Sequence, residues 1–301
     1  MTTDRVADEL LGMYVDPAAK EMQHIGSYEL PSEAGVENIV EMCRALLFPG
    51  YAGPDVAAGM SLPDLRELVR QRVRELRNEL HRQVYRALHH KRQQVLGLAE
   101  LECADCTTKA DSISERFLAA LPVLRAQISD DLRAAYAADP AATGVDEILF
   151  CYPGTYAITV YRMAHALLRE GAVVVPRMMT ELAHRRTGID IHPGAEIGGA
   201  FFIDHGTGVV IGETTLIRDR VRLYQGVTLG ALTVPQGEAR PEPGKRRHPT
   251  LEDDVVIYAN ATILGGETVI GKGSVIGGNA FVTTSVPPGS KVPGSSRTQR
   301  A

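Results

Sequence analysis

The stretch Ile191-His-Pro-Gly-Ala-Glu-Ile197-Gly-Gly-Ala-Phe-Phe-Ile203 decides the fold, because an aliphatic residue opens each block of six. Such blocks continue almost to the end of the chain. Thirteen openers follow the pattern: Ile191, Ile197, Ile203, Ile211, Ile217, Leu223, Leu229, Leu251, Ile257, Ile263, Ile270, Ile276 and Val282. A six-residue repeat of this kind is typical of a parallel β-helix, in which three blocks form one triangular coil. The pattern predicts that the openers point inward and stack on their counterparts one coil away.

The repeat is interrupted in three places. The interruptions lie between Ile203 and Ile211, between Ile263 and Ile270, and, as a long gap, between Leu229 and Leu251. Loops that leave a rigid scaffold are the usual positions of binding and catalytic groups. We therefore expect function to be concentrated at these breaks.

Upstream of the repeat, the apolar residues follow helical spacing. After Ser61, apolar residues from Leu65 to Leu88 recur at steps of three and four, which predicts one long helix ending at His89-His90. A second helix is predicted over 113–136, with an interruption near Pro122, and shorter helices are predicted over 36–47, 154–169 and 176–186. The chain of 301 residues is long enough for two domains. We predict an α+β protein with a helical domain at 1–187, a β-helix at 188–292 and a flexible tail at 293–301.

The composition excludes several classes of function. The net charge is −5, which argues against general nucleic-acid binding. No apolar run approaches the roughly 20 residues of a membrane span, and the first 30 residues do not resemble a secretory signal. A cytoplasmic protein is expected. Cys103-Ala-Asp-Cys106 has metal or redox spacing, but no second pair completes a zinc site, and we interpret these thiols as incidental.

Six polar side chains stand out against the repeat: Asp190, His192, Asp204, His205, Arg247 and His248. A histidine on the wall of a β-helix can act as a general base when a carboxylate holds its second nitrogen. Asp190 and His205 lie fifteen residues apart, close to one coil, so a contact between adjacent coils is expected. Taken singly, each histidine favours a structural hydrogen bond, and each aspartate is also consistent with turn formation.

Several segments resemble serine O-acetyltransferases of the hexapeptide-repeat acyltransferase superfamily. They are Asp-Ile-His-Pro (190–193), Asp-His-Gly-Thr-Gly-Val-Val-Ile-Gly-Glu-Thr (204–214), Gln-Gly-Val-Thr-Leu-Gly (225–230) and Arg-His-Pro-Thr (247–250). The resemblance covers about 139–290 and is closest to the bacterial branch with a long N-terminal extension. It implies a left-handed β-helix and the transfer of an acetyl group from acetyl-CoA to L-serine, with no metal.

The resemblance also implies a role for each matched residue. His205 would take the proton from the serine hydroxyl, and Asp190 would orient its imidazole. Asp139 and Asp204 match acids that hold the serine ammonium, Arg247 matches the residue that pairs with its carboxylate, and His248 matches a second substrate contact. The CoA arm would lie along four small residues: Gly230, Ala231, Ala259 and Gly277.

The assembly and the partners follow from the same resemblance. Serine and acetyl-CoA would bind between two β-helices of a homotrimer, and two trimers pairing into a hexamer is the open alternative. L-cysteine shares the ammonium and carboxylate of serine, so we expect it to compete with serine. Several family members bind cysteine synthase through an isoleucine-terminated tail. This chain ends Thr-Gln-Arg-Ala instead, so we do not expect that complex.

Three alternatives stay open at this point. One is an O-acetyltransferase acting on a sugar, homoserine or a xenobiotic. Another is a γ-type carbonic anhydrase, although the spacing of His192, His205 and His248 lacks the close histidine pair of that class. The last is a non-catalytic scaffold.

Overall fold

The computed structural model describes residues 3–16, 24, 28–53, 56, 59–96, 103–232 and 245–294. Within these ranges the helices all precede the strands. The helices are Thr3–Tyr14 (α1), Glu33–Leu47 (α2), Leu62–Leu96 (α3), Ala104–Ala138 (α4), Val145–Cys151 (α5), Pro153–Arg169 (α6) and Val175–Thr187 (α7). None of them is long and apolar enough to cross a membrane.

The strands are short, and all their pairings are parallel. They are Asp190–Ile191 (β1), Glu196–Ile197 (β2), Phe202–Ile203 (β3), Val210–Ile211 (β4), Leu216–Ile217 (β5), Arg222–Leu223 (β6), Thr228–Gly230 (β7), Thr250–Leu251 (β8), Val256–Ile257 (β9), Thr262–Leu264 (β10), Val269–Ile270 (β11), Val275–Ile276 (β12), Phe281–Val282 (β13) and Lys291–Val292 (β14). They form three sheets, which we call face 1 (β1-β4-β7-β10-β13), face 2 (β2-β5-β8-β11) and face 3 (β3-β6-β9-β12-β14). This is the left-handed parallel β-helix that the repeat and the resemblance predict.

The openers fill the interior of this prism. Twelve of the thirteen are buried, and Ile197 is partly buried. On face 1 the register stacks Ile191 on Ile211, Ile211 on Leu229, and Leu229 on Ile263. The openers form one row of this core, and buried residues two positions before them, such as Val209, Val221 and Val255, form a second. The residue immediately before each opener points outward from the prism.

The turns between the faces form three edges. The 3/1 edge comprises the turns from face 3 to face 1 at 204–209, 224–227, 258–261 and 277–280. The 1/2 edge comprises 192–195, 212–215, 265–268 and the described parts of the long loop, 231–232 and 245–249. The 2/3 edge comprises 198–201, 218–221, 252–255 and 271–274. Six residues separate consecutive edges, which corresponds to roughly 15–20 Å at about 3.3 Å per residue.

Left-handed backbone conformations occur at these turns. Asn260 has φ 59° and Gly226 has φ 71°, as expected for residues that tolerate positive φ. His205 also adopts φ 56°, which is uncommon for a residue with a side chain. It lies in the turn that contains the first interruption of the repeat.

A buried ion pair joins the helices to the first coil. Arg162 of α6 contacts Asp131 of α4 through two hydrogen bonds of 2.5 and 2.8 Å, and both side chains are almost fully buried. The guanidinium also donates to the carbonyl oxygens of Ile197 and Gly198, and Asp131 accepts from the Phe201 N–H. The carboxyl-terminal part of α4 is thereby held against the β-helix.

The helices differ from the sequence-based expectations in three respects. α3 runs to Leu96 and so passes through His89-His90 instead of ending there. α4 begins at Ala104 and stays continuous through Pro122, because packing on α3 and α6 outweighs the missing hydrogen bond. α1 and α5 were not predicted; α1 has no buried residue, and α5 has only seven residues.

The remaining expectations concern the cysteine pair, the tail and the division into domains. Cys103 caps α4, since its sulfur accepts from the Cys106 N–H at 3.1 Å, and both thiols are free and buried. The predicted tail lies almost wholly outside the described residues, as does most of the loop at 232–246. The division into domains at 187/188 stays a prediction.

Candidate active site

Three of the predicted site residues gather beside the 3/1 edge. Asp204 and His205 follow β3, and the His205 Nε2 lies 3.8 Å from the Asp204 Oδ1. Asp139, the residue that ends α4, approaches the same edge and is electrostatically coupled to His205. The His205 imidazole is 73% exposed, so it is accessible to a ligand.

Asp139 is held by two hydrogen bonds. Its Oδ2 accepts from the Tyr152 hydroxyl at 2.5 Å, and its Oδ1 accepts from the Ala141 N–H at 2.9 Å. These two bonds, the tyrosine bond first, lower the pKa of the Asp139 carboxyl below its usual value. The same carboxylate raises the pKa of Tyr152 to about 12. An ionised Asp139 is suited to bind a cation such as an ammonium group.

Asp190 lies on the outer surface of face 1, where its partner in the next coil is Val210. Its Oδ1 accepts from the Arg177 Nη1 at 3.3 Å, and Arg177 also contacts Glu181. Among the described residues, no hydrogen bond or ion pair joins Asp190 to His205. The contact between these two residues therefore stays a prediction.

The other two predicted substrate residues lie on the 1/2 edge. The Arg247 Nη2 donates to Glu213 Oε2 at 2.5 Å. The Thr214 hydroxyl oxygen accepts from the backbone N–H groups of Arg247 and His248, which holds the end of the long loop against the preceding coil. This arrangement leaves Arg247 half-exposed at the mouth of the edge.

His248 is packed more tightly than Arg247. Its ring lies against the backbone of Gly212, where an added Cβ would come within 2.1 Å of the ring. Its Nδ1 accepts from the Thr214 N–H at 3.1 Å, so the proton of the neutral ring is on Nε2. Burial, and then the charge of Arg247, lower the pKa of His248 from 6.5 to about 4. Burial also lowers the pKa of His192 on the same edge.

The four positions predicted to accompany CoA divide between the same two edges. Gly230 and Ala231 lie where face 1 leads into the 1/2 edge, whereas Ala259 and Gly277 lie on the 3/1 edge. Gly277 has a packing reason of its own, because a Cβ there would lie 2.3 Å from the Gly294 nitrogen.

One group of described residues has the donor types of a metal site. Glu181, His184 and Asp190 bring ligating atoms within 4.8 Å of one another. Arg177 already supplies a positive charge to both carboxylates. The ion pairs of this group are thus formed without a metal.

Sequence reasoning gave no role to four residues that shape the site: Tyr152, Arg177, Glu213 and Thr214. Glu213 and Thr214 end the segment 204–214 that carries the resemblance, so their position in that segment is the signal that could have found them. Tyr152 lies between α5 and α6 and Arg177 lies in α7, and neither shows a comparable signal. The resulting arrangement has a histidine with two carboxylates on one edge and an arginine with a neutral histidine on another.

Comparisons with known proteins find similar serine acetyltransferases in both sequence and structure. A plasmid serine acetyltransferase of Synechococcus elongatus is 44% identical over 289 residues, which covers 95% of this chain and 89% of that protein. The structure is similar to serine acetyltransferase isoform 3 of Entamoeba histolytica in complex with cysteine (TM-score 0.72, 29% identity, covering 99% and 93% of the two chains). It is also similar to serine acetyltransferase 1 of that organism in complex with L-cysteine (TM-score 0.71, 32% identity, covering 96% of each). No protein-family model matches the chain.

Proposed function

The chain belongs to the serine acetyltransferase family, and on that premise we propose that His205, Asp139, Asp204, Arg247 and His248 bind and acetylate L-serine. The acetyl donor is acetyl-CoA, the co-substrate of that family. The reaction yields O-acetyl-L-serine and free CoA.

The observation that carries this proposal is the division of the site between two edges. Asp204 and His205 lie on the 3/1 edge, whereas Arg247 and His248 lie on the 1/2 edge. Six residues of extended chain separate the edges, about 15–20 Å, and one serine molecule cannot touch both. A complete site therefore requires the 3/1 edge of one copy and the 1/2 edge of another.

That requirement determines the symmetry of the assembly. Different surfaces meet at the contact, so the interface is heterologous, and heterologous contacts form a ring when the rotation between copies closes. For a triangular prism the natural ring is a trimer. Face 1, between the two edges, carries Val210 and Phe281 exposed on its outer surface, which gives the neighbouring copy apolar area to cover.

The substrate groups match the charges of the two edges. The ammonium of serine would bind Asp139 and Asp204, and its carboxylate would bind Arg247 of the neighbouring copy. A guanidinium is suited to that task because it can donate two parallel hydrogen bonds to a carboxylate. The Arg247 guanidinium would leave Glu213 for the substrate carboxylate, or would donate hydrogen bonds to both carboxylates.

The chemical step uses His205 as general base. Its imidazole takes the proton of the serine hydroxyl while the oxygen attacks the thioester carbonyl of acetyl-CoA. The tetrahedral intermediate then expels the CoA sulfur, which takes up the proton from the imidazolium. Asp204 lies near that transient cation and stabilises it, and Asp190 would orient the ring. Backbone N–H groups stabilise the oxyanion.

The CoA arm would follow Gly230 and Ala231 of one copy and Ala259 and Gly277 of its neighbour. These four positions lie on the same two edges as the serine residues. Both substrates then occupy one groove, as direct transfer without a covalent enzyme intermediate requires. Small side chains let the arm approach the backbone closely.

L-cysteine should bind in the same groove. It carries the ammonium and carboxylate of serine, with a thiol in place of the hydroxyl, and the two Entamoeba relatives are described in complex with cysteine. We propose that it competes with serine, so that added serine relieves the inhibition.

The test is a thiol-release assay with acetyl-CoA and a panel of acceptors: L-serine, L-homoserine and representative sugars. The proposal requires L-serine to give the largest kcat/KM. A faster reaction with homoserine or a sugar would overturn the acceptor assignment, and no acetyl transfer to any acceptor would favour a non-catalytic protein.

A further inference from the structure

Tyr152 connects the helices to the candidate active site. It lies between α5 and α6, where its N–H donates to the Ile148 carbonyl and closes α5, and Pro153 begins α6. The ring is partly buried against the helical core. The position of Tyr152 is thus determined by two helices rather than by a mobile loop.

The hydroxyl of Tyr152 has a separate partner. It donates to the Asp139 Oδ2 at 2.5 Å. The other carboxylate oxygen of Asp139 accepts from the Ala141 N–H. With one donor on each oxygen, the plane of the carboxylate is fixed, and its remaining lone pairs stay available to a ligand.

The charged groups around Tyr152 and Asp139 show what the hydrogen bond between these two residues does. Asp204 lies close enough to contribute to the raised pKa of Tyr152, and His205 to the lowered pKa of Asp139. Tyr152 therefore contacts the acid that faces the general base. A phenol whose pKa is about 12 stays protonated at neutral pH, so it keeps donating to an ionised Asp139.

We propose that Tyr152 is a positioning residue of the amino-acid subsite: it orients Asp139 and keeps it ionised so that this carboxylate binds the ammonium group of the acceptor. This inference rests on the proposed function, because it assumes that the acceptor is an amino acid. It assigns Tyr152 no part in proton transfer. The ring packs in the helical core, and the hydroxyl orients the carboxylate.

Because the ring and the hydroxyl have separate roles, Tyr152→Phe is the informative variant. It keeps the ring and removes only the hydroxyl. Hydrogen bonds to charged groups are stronger than neutral ones, so the KM for L-serine should rise about 5- to 20-fold. The KM for acetyl-CoA and the kcat at saturating serine should change less than about twofold, since Asp139 does not touch the thioester. Tyr156→Phe is the matched control, because its hydroxyl accepts from Arg186 at 2.8 Å, away from both edges.

Two further readouts separate positioning from stability. In an Asp139→Asn background the Tyr152→Phe change should add little, because its target is already neutral. The pKa of the Asp139 carboxyl, followed by carbon NMR of labelled protein, should rise in Tyr152→Phe, since the bond that lowers it most is gone. That measurement does not depend on which acceptor the enzyme uses.

The outcomes are distinct. An unchanged Asp139 pKa, or equal increases in KM for both substrates, would overturn the positioning role. Failure of the wild-type protein to acetylate serine would overturn the proposed function instead, and the NMR result would still decide whether Tyr152 controls Asp139.

Discussion

Arg177 Nη1 donates to Asp190 Oδ1 at 3.3 Å, so the carboxylate that is expected to orient His205 is already engaged by a cation of α7. A carboxylate has a second oxygen, and Asp190 can contact the guanidinium and the imidazole together. Arg177→Met should therefore reduce kcat less than about fivefold, since partly exposed ion pairs contribute about 0–1 kcal/mol. Steady-state kinetics with L-serine measures this.

Asp190→Asn is the companion variant. It keeps the shape of the side chain but loses the charge that stabilises an imidazolium. If Asp190 orients His205, its kcat should fall well below that of Arg177→Met. Equal effects of the two variants would mean that Asp190 acts only through its pair with α7.

The second prediction concerns the general base. His205→Ala should reduce turnover about 10²–10⁴-fold, the usual range for a positioned acid–base group. The exposed His205 ring supports little packing, so the unfolding temperature should hardly change. Turnover is measured by thiol release, and near-normal activity in this variant would rule out the assignment.

The third prediction separates the two substrates at Arg247. Arg247→Lys keeps the positive charge but loses the planar pair of donors that matches a carboxylate. The KM for L-serine should rise at least tenfold, with a much smaller change for acetyl-CoA. The same substitution at Arg220, which pairs with Asp254 on the 2/3 edge, is the control and should leave both constants near wild type. Equal losses for both substrates in Arg247→Lys would indicate a structural role.

The fourth prediction is a pH dependence of stability. The pKa of His248 is lowered from 6.5 to about 4 on folding, so between these values the unfolded chain binds a proton that the folded chain does not. The contribution of His248 to the free energy of unfolding is complete above about pH 6.5 and is lost as the pH falls toward 4. Urea unfolding at several pH values should show this loss, and His248→Gln should show less of it.

Burial is the main cause of the lowered pKa of His248, and a second variant tests the additional effect of Arg247. Arg247→Met removes a neighbouring positive charge and leaves the imidazole in place, so it should raise the pKa of His248 and also weaken the pH dependence. If all three proteins lose stability equally between pH 6.5 and 4, the titration of His248 does not explain the loss.

The core of the β-helix was predictable from the sequence because the narrow interior of the prism accommodates little besides aliphatic side chains. Every face of every coil needs an inward aliphatic opener, and that demand appears directly as the six-residue period. The position of a residue within a block also decides its edge. Once the coils are counted, His205 and Arg247 must lie on different edges.

The contacts between the helices and the β-helix left no such pattern. Tyr152 and Arg177 reach the site because α6 and α7 pack on the first coil, and nothing local marks them. The register between coils was also hard to predict from the sequence, as the expected contact of Asp190 with His205 illustrates. The interruption after Ile203 lengthens that coil to twenty residues, so Val210 is the partner of Asp190 in the register, and His205 lies in the turn before it.

The central claim is that each active site combines the 3/1 edge of one copy with the 1/2 edge of the next. The direct test co-expresses His205→Ala with Arg247→Ala in equal amounts and measures acetyl transfer by the purified mixed oligomers. In randomly mixed rings about one quarter of the interfaces would combine an intact 3/1 edge with an intact 1/2 edge, so the mixture should recover about a quarter of wild-type activity. A mixed oligomer no more active than its two parents would contradict a site shared between copies.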